Sequence, residues 1–506
     1  MSRELALGID VGTGTAKAVL ADAEGEVLWQ ATRSYHYQSP RPHYAEQDPE
    51  DWWDAVCHVT SCLFAAHPEA QKRIAAVGVS GQGVAAVLLD GHGQVLRPAI
   101  LWLDRRSADD AAELQIAHGE KIVSISGKLP ASYNFEPKLR WIKHYEPEIW
   151  KRCSKALTTT AFITFRLAAS PVMNHSDGGI LLAYDLAARR WSHELQTLMG
   201  LPAGIYCELA ESAAVIGRVT DVAAAETGIP AGVPVVAGGE DTSSAGLAIG
   251  AITSDTGQLS LGTANTVNVP VERPTIHPQL LAFPHVVRDW TLIGGSMSSG
   301  GLAVRWLVRT LFGDSATAGS AAMVELTREA EAIPAGSDGL LFLPYLAGEL
   351  QPINDGFARG VLFGLSSEMG RAHLLRAVLE GNALAIEHNL WLARTVGAAP
   401  RELAAVGGPA RNRLLCQTIA DVTGLKVRVM EENGGAALGS AILAAEGVRM
   451  SSSATAMQKA HARQRELFHP DPERHSVYQE ILRTYIALYP RIKDFYPRHN
   501  GEKRRA

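Results

Sequence analysis

The chain opens with three apolar-rich stretches separated by tight turns. "ELALGIDVG", "TAKAVLAD" and "GEVLWQATRSY" each fit a strand, and "GTGT" and "AEGE" fit the turns between them. The period then changes. In "PEDWWDAVCHVTSCLFAAH", Trp52, Val56, Val59 and Leu63 recur at helical spacing and predict an amphipathic helix. "IAAVGVSG" and "GVAAVLLDGHGQVL" return to β, and residues 105–232 read as mixed and mostly helical. A second cycle starts near residue 234. "PVVAGG" predicts a strand, "DTSSAGLAIG" a helix start, "GQLSLGTANTVNVPV" a hairpin, "WTLIGGS" a strand and "SGGLAVRWLVRTLFG" a helix. "GLLFLPYL" is a strand that opens into a glycine-rich loop. "RAHLLRAVLEGNALAIEHNLWLARTVG" predicts a long amphipathic helix through Leu375, Val378, Leu379, Leu390 and Val396. "ELAAVGG" and "RNRLLCQTIADVTG" form a strand-turn-helix unit.

The two cycles resemble each other. "LGIDVGTGTAKAV" and "LSLGTANTVNV" both read as strand, Gly-Thr turn, strand. Two like domains facing each other across a cleft would follow. The length of 506 residues agrees, because it exceeds what one compact core usually holds. The expected division is a first domain over 1–245, a second over 246–450, and a C-terminal helical segment with a basic tail over 451–506.

Composition narrows the class. Hydrophobic residues make up 46% and charged residues 20%, as in soluble globular proteins. The net charge of -6 is well mixed along the chain and gives no basic face for nucleic acid. The five cysteines are scattered without a CxxC pair, which argues against a disulfide framework or a zinc site and fits a reducing cytoplasm. "MSRELALGIDVG" lacks a signal-peptide pattern, and no apolar run is long enough to span a bilayer.

"GIDVGTGTAK" is not a dinucleotide fingerprint, because the third glycine and the following helix are missing, and it carries no Gly-Lys-Ser/Thr. It is a hairpin tip with open backbone at Gly14 and the hydroxyls of Thr13 and Thr15. Such a tip can hold phosphate oxygens, and Asp10 beside it suits Mg²⁺. The same residues also suit a plain tight hairpin capped by Asp10. "LGTANT" supplies Gly262 and Thr263 in the same manner, and "AVGGPARNRLL" places Gly407 and Gly408 before a helix. Two phosphate-type turns from two halves point to ATP. In "GGEDTSSAG", Glu240 and Asp241 follow a strand and precede a helix, and either could cap that helix.

These segments, with "AEQDPEDWWDA", "LRPAILWLDRR", "HSDGGILLAYDLAARRW" and "LLFLPYLAGELQPINDGFARGVLFGL", resemble the FGGY family of carbohydrate kinases, the xylulokinases most of all. The resemblance spans nearly the whole chain. It implies an α/β fold of two actin-like, ribonuclease H-like ATPase domains with a cleft between them. It also implies a cytoplasmic enzyme acting on a small sugar and ATP with Mg²⁺, with no nucleic-acid or membrane partner, and it allows a homodimer. By the same resemblance Asp241 is the general base, and Asp10 and Asp241 are the metal-associated carboxylates. Thr13, Gly14, Thr15, Gly262 and Thr263 fall on the phosphate turns. Gly301, Arg305, Gly408 and Asn412 fall near the nucleotide. Gln82, Gly83, Val84, Trp102, Asp104, Asp241 and Thr242 border the sugar.

Several positions depart from that pattern. Gly83 and Val84 stand where xylulokinases usually carry Met-His, Leu103 where asparagine is common, and Leu350 where arginine is usual. These swaps suit D-xylulose in a rearranged pocket, or another ketose or a polyol such as ribulose or erythritol. A sugar sensor without turnover, or an ATPase acting on a protein partner, are readings of other classes. Glu240 replaces a common glycine, and the expectation is that it points away from the cleft.

Overall fold

A computed structural model describes residues 5–273, 275–313, 321–431 and 434–496. The basic tail of the sequence reading lies outside the described residues from 497 onward.

The strands of the first sheet are β1 (Leu5–Val11), β2 (Thr15–Asp22), β3 (Val27–Ser34), β4 (Ile74–Gly81), β5 (Val215–Arg218), β6 (Pro234–Val236) and β7 (Gly239–Glu240). β1, β2 and β3 form the antiparallel meander that the two turns predict. β4 then lies parallel to β1 on its other side, β6 parallel to β4, and β5 antiparallel to β6. The helix Pro49–Ala66 covers one face, burying Trp52, Val56, Val59 and Leu63 completely. Trp52 and Trp53 anchor this packing, with their indole N–H groups on Gln47 and Glu226.

The second sheet repeats the plan with β8 (Thr256–Leu261), β9 (Asn265–Val271), β10 (Leu281–Pro284), β11 (Thr291–Met297), β12 (Glu402–Val406), β13 (Lys426–Met430) and β14 (Gln464–Phe468). Its order, β10-β11-β9-β8-β12-β13-β14, matches β3-β2-β1-β4-β6-β5 strand for strand, with β10 added at the edge. The directions match too: β12 is parallel to β8, β13 parallel to β12, and β14 antiparallel to β13. This is the duplicated ribonuclease H-like core of actin-like ATPases. The long helix Arg371–Thr395 packs on the second sheet and buries Leu375, Val378, Leu379 and Leu390.

Chain order and space part company at one helix. Ala436–Gly447 belongs to the second half by sequence, yet it packs on β1, β2 and β4 of the first sheet. A Cβ at Gly8 would lie 1.9 Å from Ala437 O, and one at Gly78 would lie 2.1 Å from Ser440 O. Glycine at both positions lets helix backbone meet strand backbone. The late helix Pro472–Ile492 instead joins the core of the second half through Tyr478, Leu482 and Tyr485.

Candidate active site

Three parallel strand ends build the acidic floor. Asp10 on β1 sits beside Ser80 on β4, and Ser80 beside Gly239 on β7. Ser80 donates to Asp10 Oδ1 at 2.9 Å. β7 ends at Glu240, and Asp241 opens the helix Asp241–Ala248. Burial, with the nearby charge of Asp241 second, raises Asp10 to about 6. Burial and then the charge of Glu240 push Asp241 well above the carboxylate range. The two metal-associated carboxylates of the sequence reading therefore stand close enough to repel each other.

The expectation for Glu240 is overturned. Glu240 caps the helix, its Oε2 accepting from Ser243 N at 2.9 Å. That cap folds the side chain back over the first turn, where its carboxyl stands close to that of Asp241. Thr242 donates to Asp241 Oδ1 at 3.1 Å, and its carbonyl accepts from Gln258 on β8 at 2.9 Å. Asp241 thus sits at a seam between the two halves. Asp177 lies fully buried behind it, raised to about 7 by burial, and its Oδ1 has no hydrogen-bond partner among the described residues. Asn174 caps the short helix His175–Gly179 that carries Asp177.

The first hairpin is held from below. Thr13 Oγ1 donates to Gln82 Oε1 at 3.0 Å and accepts from Trp102 Nε1 at 2.9 Å. Gln82 Nε2 reaches Gln47 Oε1 at 3.0 Å, and Gln47 Nε2 reaches Thr13 O at 2.7 Å. The Thr13 hydroxyl is committed to protein, while Gly14 and Thr15 are the exposed tip. Gln82 is 1% exposed, with both ends of its amide engaged by Thr13 and Gln47. Asp104 is enclosed as well. It is fully buried, with Oδ1 held by Arg106 and Oδ2 by Arg106 and the Ala45 N–H. Trp102, 39% exposed, keeps an open ring face. Gly83 and Val84 form a turn at the end of β4, with Val84 buried.

On the other half, Gly301 N donates to Gly262 O at 2.8 Å and Leu302 N to Thr263 O at 3.1 Å. Arg305 Nη2 donates to Thr263 Oγ1 at 3.0 Å. The start of helix Gly300–Phe312 therefore clamps the second hairpin. Gly301, Arg305, Gly408 and Asn412 all line one cavity of about 780 Å³, together with Asn265 and Asn382.

Sequence reasoning missed several residues. Lys138, fully buried, donates to Val84 O at 2.7 Å; burial holds its amine well below the usual lysine range. Gln47 ties the hairpin to the first helix, and Asn265 Oδ1 lacks a partner among the described residues. Polar residues inside apolar or helical segments were the only available signal.

Comparison with known proteins agrees with this geometry. Residues 5–248 match the N-terminal domain of the FGGY family of carbohydrate kinases, and residues 257–447 match its C-terminal domain. The chain belongs to that family and is a sugar kinase, with ATP as the phosphate donor. The xylulose kinase of Escherichia coli is 31% identical over 96% of this chain and 99% of its own length. The gluconokinase of Bacillus subtilis is 28% identical over 86% of each chain. The crystal structure of a xyloylose kinase from Brucella ovis superposes with a TM-score of 0.90 at 32% identity, covering 97% of this chain and all of that one. Among the described residues, no helix is long and apolar enough to cross a membrane.

Proposed function

We propose that this kinase transfers the γ-phosphate of ATP to a hydroxyl of a ketopentose, with D-xylulose giving D-xylulose 5-phosphate as the leading assignment. The observation that carries the reading is Asp241. It is a carboxylate at a strand end, beside Asp10, at the first turn of a helix, where the second half reaches it through Gln258. In phosphoryl transfer the protein mainly positions the reactants and stabilises charge, and a carboxylate accepts the hydroxyl proton. The helix start favours the ionised carboxylate, against burial and the neighbouring Glu240, which favour the protonated form. The curated xylulose kinases that align along nearly the whole chain support the choice of sugar.

ATP would lie with its base in the cavity lined by Gly301, Arg305, Gly408 and Asn412, and its phosphates between the Gly14–Thr15 and Gly262–Thr263 tips. The chemistry of Asp10 and Asp241 fits a divalent cation. The two carboxylates repel each other, and Mg²⁺ takes one or two carboxylates with phosphate oxygens and water, not a full protein cage. Asp10 and Asp241 would hold Mg²⁺, which supplies charge neutralisation at the phosphates. Trp102 offers a ring face to the sugar, and closure of the two halves excludes water from the phosphate.

The turn at Gly83–Val84, with no imidazole, favours a second reading within the same class: another ketose or a polyol. A coupled ADP-release screen over pentuloses, hexuloses, polyols and gluconate decides between them. D-xylulose is expected to give the highest kcat/KM. No sugar-stimulated ADP release from any of them would remove the kinase reading and leave a sugar and nucleotide sensor.

A further inference from the structure

Two of the sequence departures meet in space. A Cβ placed on Gly83 would lie 2.8 Å from Ile180 Cδ1 and 3.8 Å from both Cγ and Oε1 of Glu240. A side chain at residue 83 would therefore run into the Ile180 methyl, while the Glu240 carboxylate stands beside it at ordinary contact distance. The pairing of β4 with β7 enforces this approach, because Gly81 and Glu240 are register partners. Any larger side chain at 83 would displace Ile180.

The turn itself offers backbone at 83 and is held under strain. Val84 sits at φ 50, a left-handed conformation that a β-branched residue rarely adopts. Lys138, buried, fixes it by donating to the Val84 carbonyl at 2.7 Å. Strain of this kind persists where the surroundings overdetermine it, and such places cluster at ligand sites. The result is a wall beside Asp241 with no imidazole, a recessed backbone at Gly83, and the Glu240 carboxyl as its polar group.

Resting on the kinase reading above, we propose that Glu240 determines acceptor specificity: its carboxyl hydrogen-bonds a hydroxyl of the bound sugar beside the Gly83 backbone. Glu240 also caps its helix, and that cap fixes the orientation of the carboxyl toward Gly83 and Asp241. A site built to hydrogen-bond a hydroxyl rejects acceptors that place it elsewhere, because the buried polar group is then left unpaired. The acceptors separated most sharply would be the stereoisomeric pentuloses and pentitols, which differ only in where each hydroxyl points.

The test compares wild type with Glu240→Gln and Glu240→Gly across D- and L-xylulose, D- and L-ribulose, ribitol and erythritol. Gln can still accept from the Ser243 N–H, so the cap survives in that variant and its thermal midpoint should match wild type. The expected result is a rise of about tenfold or more in KM for the preferred acceptor in Glu240→Gln. KM for ATP stays within about twofold, and the ranking of acceptors flattens or reorders. An unchanged ranking and acceptor KM in Glu240→Gln would overturn the proposal and leave Glu240 a helix cap. A parallel rise in both KM values would also overturn it. If no acceptor stimulates ADP release from wild type, the kinase reading itself fails. Calorimetric binding of the same sugars to wild type and Glu240→Gln then decides this proposal alone, with equal affinities refuting it.

Discussion

Asp241 illustrates how one residue inherits its character from several elements. Its place after β7 and before a helix gives it both a strand-end position and a helix dipole, while Glu240 and burial act against its ionised form. Replacing it by asparagine keeps its size and its bond from Thr242 but removes the proton acceptor. Asp241→Asn is expected to lose about 10²–10⁴ in kcat while binding sugar with affinity within a few-fold of wild type. A coupled ADP assay beside calorimetry checks both halves of that statement, and near wild-type turnover would exclude Asp241 as the base. Local sequence could not choose between Glu240 and Asp241, since either suits a cap. It also misjudged where Glu240 points. The cap geometry turns the side chain inward, and that follows from the backbone at 240–243, which residue type alone does not dictate. Gln82 and Asp104 are held in a way that residue type alone does not dictate either. Both lie in cleft-bordering segments, but their polar atoms are consumed by Thr13, Gln47, Arg106 and the Ala45 N–H, partners distant in sequence or hidden in the fold.

At the scale of elements, both Gly-Thr hairpins and the meanders containing them were legible, because period-two alternation and turn residues are local signals. Pairing order was not, since it is set by parallel crossovers. Nor was the docking of Ala436–Gly447 on the first sheet, because that helix is buried nearly all round and its sequence shows no face. Its contacts through Gly8 give a stability prediction. Gly8→Ala would force a methyl into Ala437 O, 1.9 Å away, and should cost about 1–3 kcal/mol or more in urea unfolding. Gly301 gives a functional one. A Cβ there would lie 2.5 Å from Gly262 O, so Gly301→Ala pushes the helix start off the second hairpin. The expected outcome is a KM for ATP raised about tenfold or more, with sugar affinity in the absence of nucleotide unchanged. A variant with equal losses on both substrates would place Gly301 outside the nucleotide clamp.

The two halves also meet at a residue whose charge state is unusual. Lys128 follows the helix Ala108–Ser126, is 3% exposed, and donates to the carbonyls of Ser126 and, across the halves, of Ala282 at 3.3 Å. Burial brings its amine down to about 7, opposed only in part by the charge of Glu136. In the unfolded chain the same amine titrates near ~10.4. Between these two values the unfolded chain holds a proton that the folded chain has released. Folding stability from this group therefore rises as pH climbs from about 7 toward 10, and the burial penalty is fully present at and below pH 7. The slope from one such group reaches about 1.4 kcal/mol per pH unit. Lys128→Met removes the titration and keeps the apolar stem. Urea midpoints measured at intervals from pH 6 to 10 should show a rise in wild type that the variant lacks, with the gap between them moving in favour of wild type as pH increases. Identical slopes would mean that Lys128 keeps its proton at the seam, and that the two halves meet there around a charge and not around a neutral amine.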